Sequence, residues 1–471
     1  MEIAMKNMTL GNIAQAVGGT LHMEGAPAGV LEDVTEALGV VHDSRQVEKG
    51  YIFLATSGEH ADGHSFIDSV FEKGALGVIC EKAPKNPKGA YILVKDSFQA
   101  LKDMAEFYLD GLDVKVVGIT GSVGKTSTKE FVASVLSKGY RVHKTEGNYN
   151  NEIGLPLTVL KIREDCQVAV LEMGISDFGE MHRLSRIAKP DICVITNIGQ
   201  CHLETLGSRD GILKAKTEMF DFMKENAGIC LNGDDDKLVT IREVRGVKPL
   251  LFGSNSTYDV YADGYENKGL DGSSVTIHIN QEEMTADFRA EIPLPGGHMV
   301  YNALAATSVG TLLGLDAEQI RQGISEVEPV GGRSHIIHGK RFTVIDDCYN
   351  ANPVSMKAAL DLLVMSDLTV SPRRVAILGD MFELGKNERE LHAEVGRYAR
   401  ASDIHVLICV GVLSKSMYEA AVSMENIGQK LYYFEDKDSM ICELEGILRD
   451  QDTVLVKASH GMHFEEVVAC L

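Results

Sequence analysis

The residues best suited to chemistry sit in one short run, Gly118-Ile-Thr-Gly-Ser-Val-Gly-Lys-Thr126. Glycines at 118, 121 and 124 permit a tight turn whose backbone N–H groups converge on an anion. Lys125 can reach a transferable phosphoryl group, and the Thr126 hydroxyl can ligate Mg²⁺. The run departs from the usual Gly-x-x-x-x-Gly-Lys spacing because Ile119 stands where the first glycine would be. Its flanks supply the context that a phosphate loop requires. Val114 to Val117 reads as a buried strand, and Thr126 to Lys138 carries helical spacing through Phe131, Val132, Val135 and Leu136. ATP is the expected ligand, contacted by Gly121, Ser122, Val123, Gly124, Lys125, Thr126 and Ser127, with Mg²⁺ beside its phosphates.

Mg²⁺ calls for hard oxygen ligands. The apolar strand Val168 to Leu171 ends in Glu172, and a carboxylate at the carboxyl end of a strand in an open α/β sheet points into the ligand crevice. Glu172 is therefore the expected metal ligand, the alternative being a strand-end acid facing solvent. The next apolar strand, Ile192 to Thr196, is followed by Asn197-Ile-Gly-Gln-Cys-His202-Leu-Glu204. By itself, His202 reads more readily as a structural histidine than as a ligand.

These residues need a scaffold, and the chain supplies it as short apolar runs alternating with helical patterns. The runs at 114–120, 168–171, 192–196 and 229–231 form one set, and those at 344–345, 375–378, 406–410 and 454–456 form a second. Such alternation predicts two mostly parallel sheets covered by helices on both faces, an α/β protein. The sets part near Pro329-Val-Gly-Gly332, after a helical stretch from Ala317 to Glu326. The first hundred residues read as a smaller α/β unit without a phosphate loop, with a helix from Thr9 to Val17. A helix starting near Ser97 leads into the middle of the chain. The expected domains are 1–95, 96–330 and 331–471.

Composition narrows the partners. With 46 Lys and Arg against 68 Asp and Glu, the net charge is −22, which repels nucleic acid and anionic lipid. An anionic substrate must then meet locally concentrated positive charge or metal. Nine scattered cysteines fit neither a zinc site nor a disulfide scaffold, and no run of 18 apolar residues occurs. A cytoplasmic monomer with reduced thiols is expected.

Several segments together resemble the Mur ligases, which build the peptide of bacterial peptidoglycan. In the family's order they are Asp43-Ser-Arg45, Gly58 to His64, the variant phosphate loop, Thr145 to Gly154, Leu171 to Gly174, Thr196 to Gly199 with His202 to Glu204, and Ala215 to Glu218. Gly297-His298, Asn302 to Ala306, Asp346 to Pro353 and Leu378 to Gly385 follow. The resemblance implies an N-terminal domain for a UDP-sugar peptide, a central ATPase domain and a C-terminal Rossmann-like domain. The branch it resembles joins D-alanyl-D-alanine to UDP-N-acetylmuramoyl-tripeptide through an acyl phosphate. By the same resemblance Thr126, Glu172, His202 and Lys216 occupy metal and phosphate positions, and Lys216 matches a lysine used as a carbamate. Lys125, Glu172, His202 and Lys216 would form the catalytic set. The resemblance implies nucleotide contacts for Asn302, Arg333, Asp347 and Asn350. It assigns Ser44, Arg45, Asn148, Asn150, Asn151, Tyr349 and Asn352 to the peptide substrates.

Plainer readings exist for several of these. Lys216 reads as a surface helix lysine like Lys214, Arg45 as half of a surface ion pair, and Asp346 to Pro353 as a polar turn. Two positions depart from the family pattern. Met299 follows His298 where Asn is common, and His460 ends Lys457-Ala-Ser-His460 where Arg is usual. The second leaves Arg333 as the arginine available to grip phosphate or carboxylate. Other amide ligases of the same fold, including the enzyme adding the third peptide residue and folylpolyglutamate synthase, and a non-enzymatic nucleotide switch are the competing readings.

Overall fold

Residues 3–26, 29–58, 62–282, 284–369, 372–425 and 428–471 are described by a computed structural model of the chain. Residues 59–61 of the Gly58–His64 segment fall outside that set. Three sheets follow one another along the sequence.

The first sheet runs Thr20–His22, Ala90–Leu93, Gly77–Cys80, Tyr51–Leu54, Gly39–Val41, parallel except for its first strand. Helix Ser97–Asp110 ties it to the middle of the molecule. Leu101, Met104, Ala105 and Tyr108 are buried in one continuous apolar cluster with Leu10 and Ile13 on one side and Leu155, Leu160 and Ile162 on the other. The Tyr108 hydroxyl ends that face by donating to the Ile162 carbonyl at 2.6 Å, which satisfies a polar group that burial would otherwise penalise.

The nine-stranded central sheet positions the chemistry. From one edge its order is Thr285–Ile292, Ser273–Asn280, Val260–Asn267, Leu250–Gly253, Gly228–Asn232, Ile192–Ile195, Lys115–Thr120, Val168–Glu172, Val142–Lys144. Its middle strands, buried on both faces, are the continuous apolar runs legible in the sequence. Ile119 is fully buried, pairs with Glu172 and accepts the Met173 N–H at 2.8 Å. It therefore belongs to the strand, and the phosphate loop begins after it. Helix Lys125–Leu136 packs against helix Met299–Leu312, which lies over the sheet with buried residues all round from Asn302 to Gly310. A helix buried on every side has no polar face to betray it.

The three antiparallel strands between Val260 and Ile292 are absent from the apolar-run pattern. Val275, Ile277 and Ile279 are buried, but they alternate with Thr276 and His278, and charged residues fill the partner strands. This period-two pattern belongs to a sheet with one solvated face. Leu270, between two of these strands, packs into the apolar cluster of the third sheet, so the extension props that sheet over the cleft.

The third sheet runs His335–His338, Thr343–Asp346, Thr453–Lys457, Arg374–Leu378, Val406–Val410, Lys430–Phe434, parallel except for its first strand. The register pairs Asp346 with Val456 and Leu378 with Lys457, which gathers three loops at one sheet edge.

Candidate active site

The phosphate loop is held in shape by the segment after the neighbouring strand. The amides of Ser122 and Val123 donate to the carbonyl and side-chain oxygen of Asn197, each at 3.0 Å. The Asn197 side chain and the Thr196 hydroxyl both donate to the Val123 carbonyl, at 2.9 and 2.7 Å. Gly121 has φ +153°, and a Cβ there would lie 1.9 Å from Thr196 Oγ1. Only glycine allows the loop to lie this close to its template. Lys125 opens the helix behind Gly124 and donates to the Gly121 carbonyl at 3.0 Å.

Glu172 is 1 % exposed, so the strand-end acid does not face bulk solvent. One carboxylate oxygen accepts the Thr126 hydroxyl at 2.8 Å and the other accepts the Asn150 amide at 2.7 Å. A hydroxyl and a carboxylate this close at the start of a helix form the hard-oxygen pair that Mg²⁺ prefers. Asn150 orients the carboxylate, a role its sequence position did not reveal.

Lys216 is 1 % exposed, whereas Lys214 on the same helix is exposed, so the surface-lysine reading of Lys216 does not hold. Burial first, and the neighbouring Lys125 charge second, lower its pKa to about 8. A buried lysine is thereby brought near its neutral, nucleophilic form. His202, with left-handed backbone, precedes the short helix Leu203–Leu206, and its Nδ1 lies 2.7 Å from Glu383, on the loop after strand Arg374–Leu378 of the third sheet. That histidine and its hydrogen bond hold the Glu383 carboxyl below its ordinary range.

Across the cleft, Asp347 is clamped by Lys457, a residue to which the sequence reading gave no role. Lys457 is 2 % exposed and donates to Asp347 Oδ2 at 2.6 Å, to the Asp347 carbonyl at 3.3 Å and to the Asn350 carbonyl at 2.9 Å. Asp347 Oδ1 accepts the Ser334 N–H at 2.9 Å, and the Gly332 carbonyl accepts the Tyr349 N–H at 3.1 Å. The segment joining the second and third sheets is thus fastened to the Asp347 loop. The Arg333 guanidinium lies 4.1 Å from the Tyr349 ring centre, and the His460 ring packs on the same tyrosine at 5.3 Å. Asn352 caps helix Pro353–Val364 in a reciprocal pair with Ser355, so its side chain serves the helix as well as the cleft.

Most of these groups line one cavity of about 770 Å³, within the range of ligand sites. Of the residues expected from sequence it gathers Ser122 to Ser127, Asn148, Asn150, Asn151, Glu172, His202, Asn302, Arg333, Asp347, Tyr349, Asn350 and Asn352. Lys216 is buried and is not part of this lining. Asn302 is 5 % exposed. Its side chain accepts from Thr128 at 2.9 Å, and its amide faces the Met299 sulfur at 3.3 Å, so the Met299 departure still supplies an acceptor. Ser44 and Arg45 lie outside the cavity. Arg45 has its side chain 88 % exposed and pairs with Asp43 at 2.7 Å, the plainer of its two readings. A second, smaller cavity beside them is lined by His42, Gln46, His143, Lys144, Tyr149 and Lys161 among others.

Models of three domains match along the chain: "Mur ligase family, catalytic domain" over residues 37–108, "Mur ligase middle domain" over 119–310 and "Mur ligase, glutamate ligase domain" over 332–460. The UDP-N-acetylmuramoyl-tripeptide--D-alanyl-D-alanine ligase of Bacillus subtilis (strain 168) is 38% identical over 467 residues, covering 98% of each chain. The chain belongs to the Mur ligase family. The Escherichia coli (strain K12) protein of the same name is 31% identical with 99% of each chain covered. Among solved structures, MurF from Acinetobacter baumannii superimposes with a TM-score of 0.87 at 30% identity over 99% of each chain. MurF ligase from Thermotoga maritima, solved with ADP, matches at 0.79 and 28% identity over 92% of this chain and 96% of that one. The Mur ligase architecture accounts for the three sheets and for a cleft between the second and third. No helix of the described residues is long and apolar enough to cross a membrane.

Proposed function

We propose that the chain uses ATP to join D-alanyl-D-alanine to UDP-N-acetylmuramoyl-tripeptide, the reaction for which the Bacillus subtilis and Escherichia coli relatives are named. The supporting observation is the shared cavity, in which a phosphate loop and its hard-oxygen pair face the Asp347 to Asn352 loop.

A carboxylate is a poor acylating agent. In the proposed reaction the tripeptide carboxylate takes the γ-phosphoryl group of ATP and releases ADP. The amine of D-alanyl-D-alanine then attacks the acyl carbon, phosphate leaves, and the amine gives up its proton. Lys125 exchanges the Gly121 carbonyl for a phosphate oxygen and follows the charge as it moves. Residues 121–127 cradle the phosphates, and Asn302, beside Gly124, belongs to the nucleotide side. Thr126 and Glu172 fit Mg²⁺, with His202 and Lys216 as further ligands. When bound, the metal neutralises charge on the transferring group. Lys216 near neutrality can add CO₂ as R–NH₂ + CO₂ → R–NH–COO⁻ + H⁺, which turns a buried cation into an oxygen ligand. Arg333, Tyr349, Asp347, Asn350 and Asn352 form the wall that meets nucleotide and amine. Asn148, Asn150 and Asn151 face the peptide carboxylate, and Ser44 with Arg45 takes the diphosphate by exchanging Asp43 for it. Residues 1–95, 96–330 and 331–471 act as the UDP-peptide, ATP and closing domains of a cytoplasmic monomer.

Phosphate release from ATP and Mg²⁺ in the presence of UDP-muramoyl tripeptide, with and without D-alanyl-D-alanine, tests this reading. Release should require the dipeptide, and release indifferent to it would refute the assignment.

A further inference from the structure

His202 lies on a loop after a strand of the central sheet and Glu383 on a loop after a strand of the third, yet their side chains meet at 2.7 Å and both line the cavity. Both have left-handed backbones, with φ of 49° and 60°. That region is disfavoured for residues bearing a Cβ, and such outliers persist only where the surroundings impose them. Around Glu383 the surroundings are firm: Met381 and Leu384 are buried, the Met381 N–H donates to His392 Nε2 at 2.9 Å, and the Phe382 N–H donates to Ser459 at 2.9 Å. The contact also extends beyond the ion pair, since a Cβ on Gly385 would lie 3.4 Å from the Glu204 backbone. Two outlying residues on opposite walls thus point their side chains at each other.

An imidazole that binds a metal through one nitrogen usually donates its other N–H to a carboxylate, which fixes the tautomer and raises the basicity of the ligating nitrogen. Glu383 takes the Nδ1 position of His202 and leaves Nε2 as the ring's remaining donor atom. The geometry points to Glu383 as a positioning residue that prepares His202 as a ligand and does so from the opposite wall. The Asp347 to Asn352 loop lines the same cavity as Glu383, so the third sheet supplies both the amine-facing loop and the support of His202. Phosphoryl transfer is then coupled to the arrival of the wall that receives the amine. This inference rests on His202 being a metal ligand, as proposed above.

Mn²⁺ binding to the full chain with a non-hydrolysable ATP analogue, read from the electron spin resonance of free Mn²⁺, tests it in wild type, Glu383→Gln, Glu383→Ala, His202→Gln and the double Gln variant. Glu383→Gln keeps the size and one hydrogen bond of the original, so the fold is retained. Each single variant should weaken Mn²⁺ binding roughly tenfold to a hundredfold, and the double variant should be no weaker than His202→Gln alone. Metal-free nucleotide binding should stay within about twofold across the set, because Glu383 acts through the histidine. Wild-type Mn²⁺ affinity in His202→Gln would remove the ligand reading and this inference with it. A weakened His202→Gln beside unaffected Glu383 variants would overturn the positioning role alone. Additive effects in the double variant would also overturn it.

Discussion

Replacing Lys457 by methionine isolates the clamp on the amine-facing loop. Methionine keeps nearly the same volume and removes the charge, so no cavity is created. The change leaves the Asp347 carboxylate without its cation and deprives the carbonyls of Asp347 and Asn350 of a donor. Breaking a buried ion pair from one side costs about 3–5 kcal/mol. Asp347 retains the Ser334 N–H at 2.9 Å and its side chain is 14 % exposed, which places the cost at the lower end, about 3 kcal/mol. The penalty falls on local closure of residues 332–350 and not on the remaining sheets. At about 1.4 kcal/mol per factor of ten it corresponds to a roughly hundredfold rise in the open population. Unfolding of so large a chain is not two-state, so a local measurement is required. Hydrogen exchange of the Ser334, Asp347 and Tyr349 amides should accelerate by about that factor, while the buried strand Val168–Glu172 is unaffected. The KM for D-alanyl-D-alanine should rise more than that for ATP. Exchange within about threefold of wild type in this segment would refute the clamp, since a pair worth that little cannot hold the loop.

Other substitutions test the opposite wall. Lys125→Ala should abolish dipeptide-dependent phosphate release with no loss of thermal stability, and retained turnover would remove its phosphate role. Gly121→Ala drives a Cβ into Thr196, so nucleotide affinity measured by calorimetry should fall at least about tenfold as the loop leaves its template, and wild-type affinity would contradict the templating. Lys216→Ala should lose activity that a small added carboxylate partly restores, whereas wild-type rates without additive would exclude the carbamate. Burial lowers the pKa values of His143 and His392 from an ordinary 6.5. Between 6.5 and those lower values the unfolded chain holds more protons than the folded one, so stability is full above 6.5 and declines as pH falls through the window. The thermal midpoint should drop between pH 7.5 and 5, and a flat profile would contradict burial of these rings.

What the sequence disclosed about this site depended on how far along the chain each interaction reaches. The phosphate loop is written in nine consecutive residues, and Glu172 announces itself by ending an apolar strand, so both were legible from local pattern alone. The α/β class was legible for the same reason, because strands buried on both faces are apolar throughout. The antiparallel extension was not, since its alternating strands carry charge on the solvated side. Lys457 and Glu383 fell within segments named for their resemblance, but their roles were illegible for a stronger reason. Each acts only because the order of strands in the third sheet, or its docking on the second, brings it to a partner remote in sequence. Position alone could not separate Lys216 from Lys214 either, because burial distinguishes them. The same logic bears on the histidine at 460, where the family pattern expects arginine. Tyr349 contacts both His460 and Arg333, with the guanidinium against its ring at 4.1 Å. Arg333, on the segment joining the second and third sheets, is therefore the candidate to supply the cation that the usual arginine would.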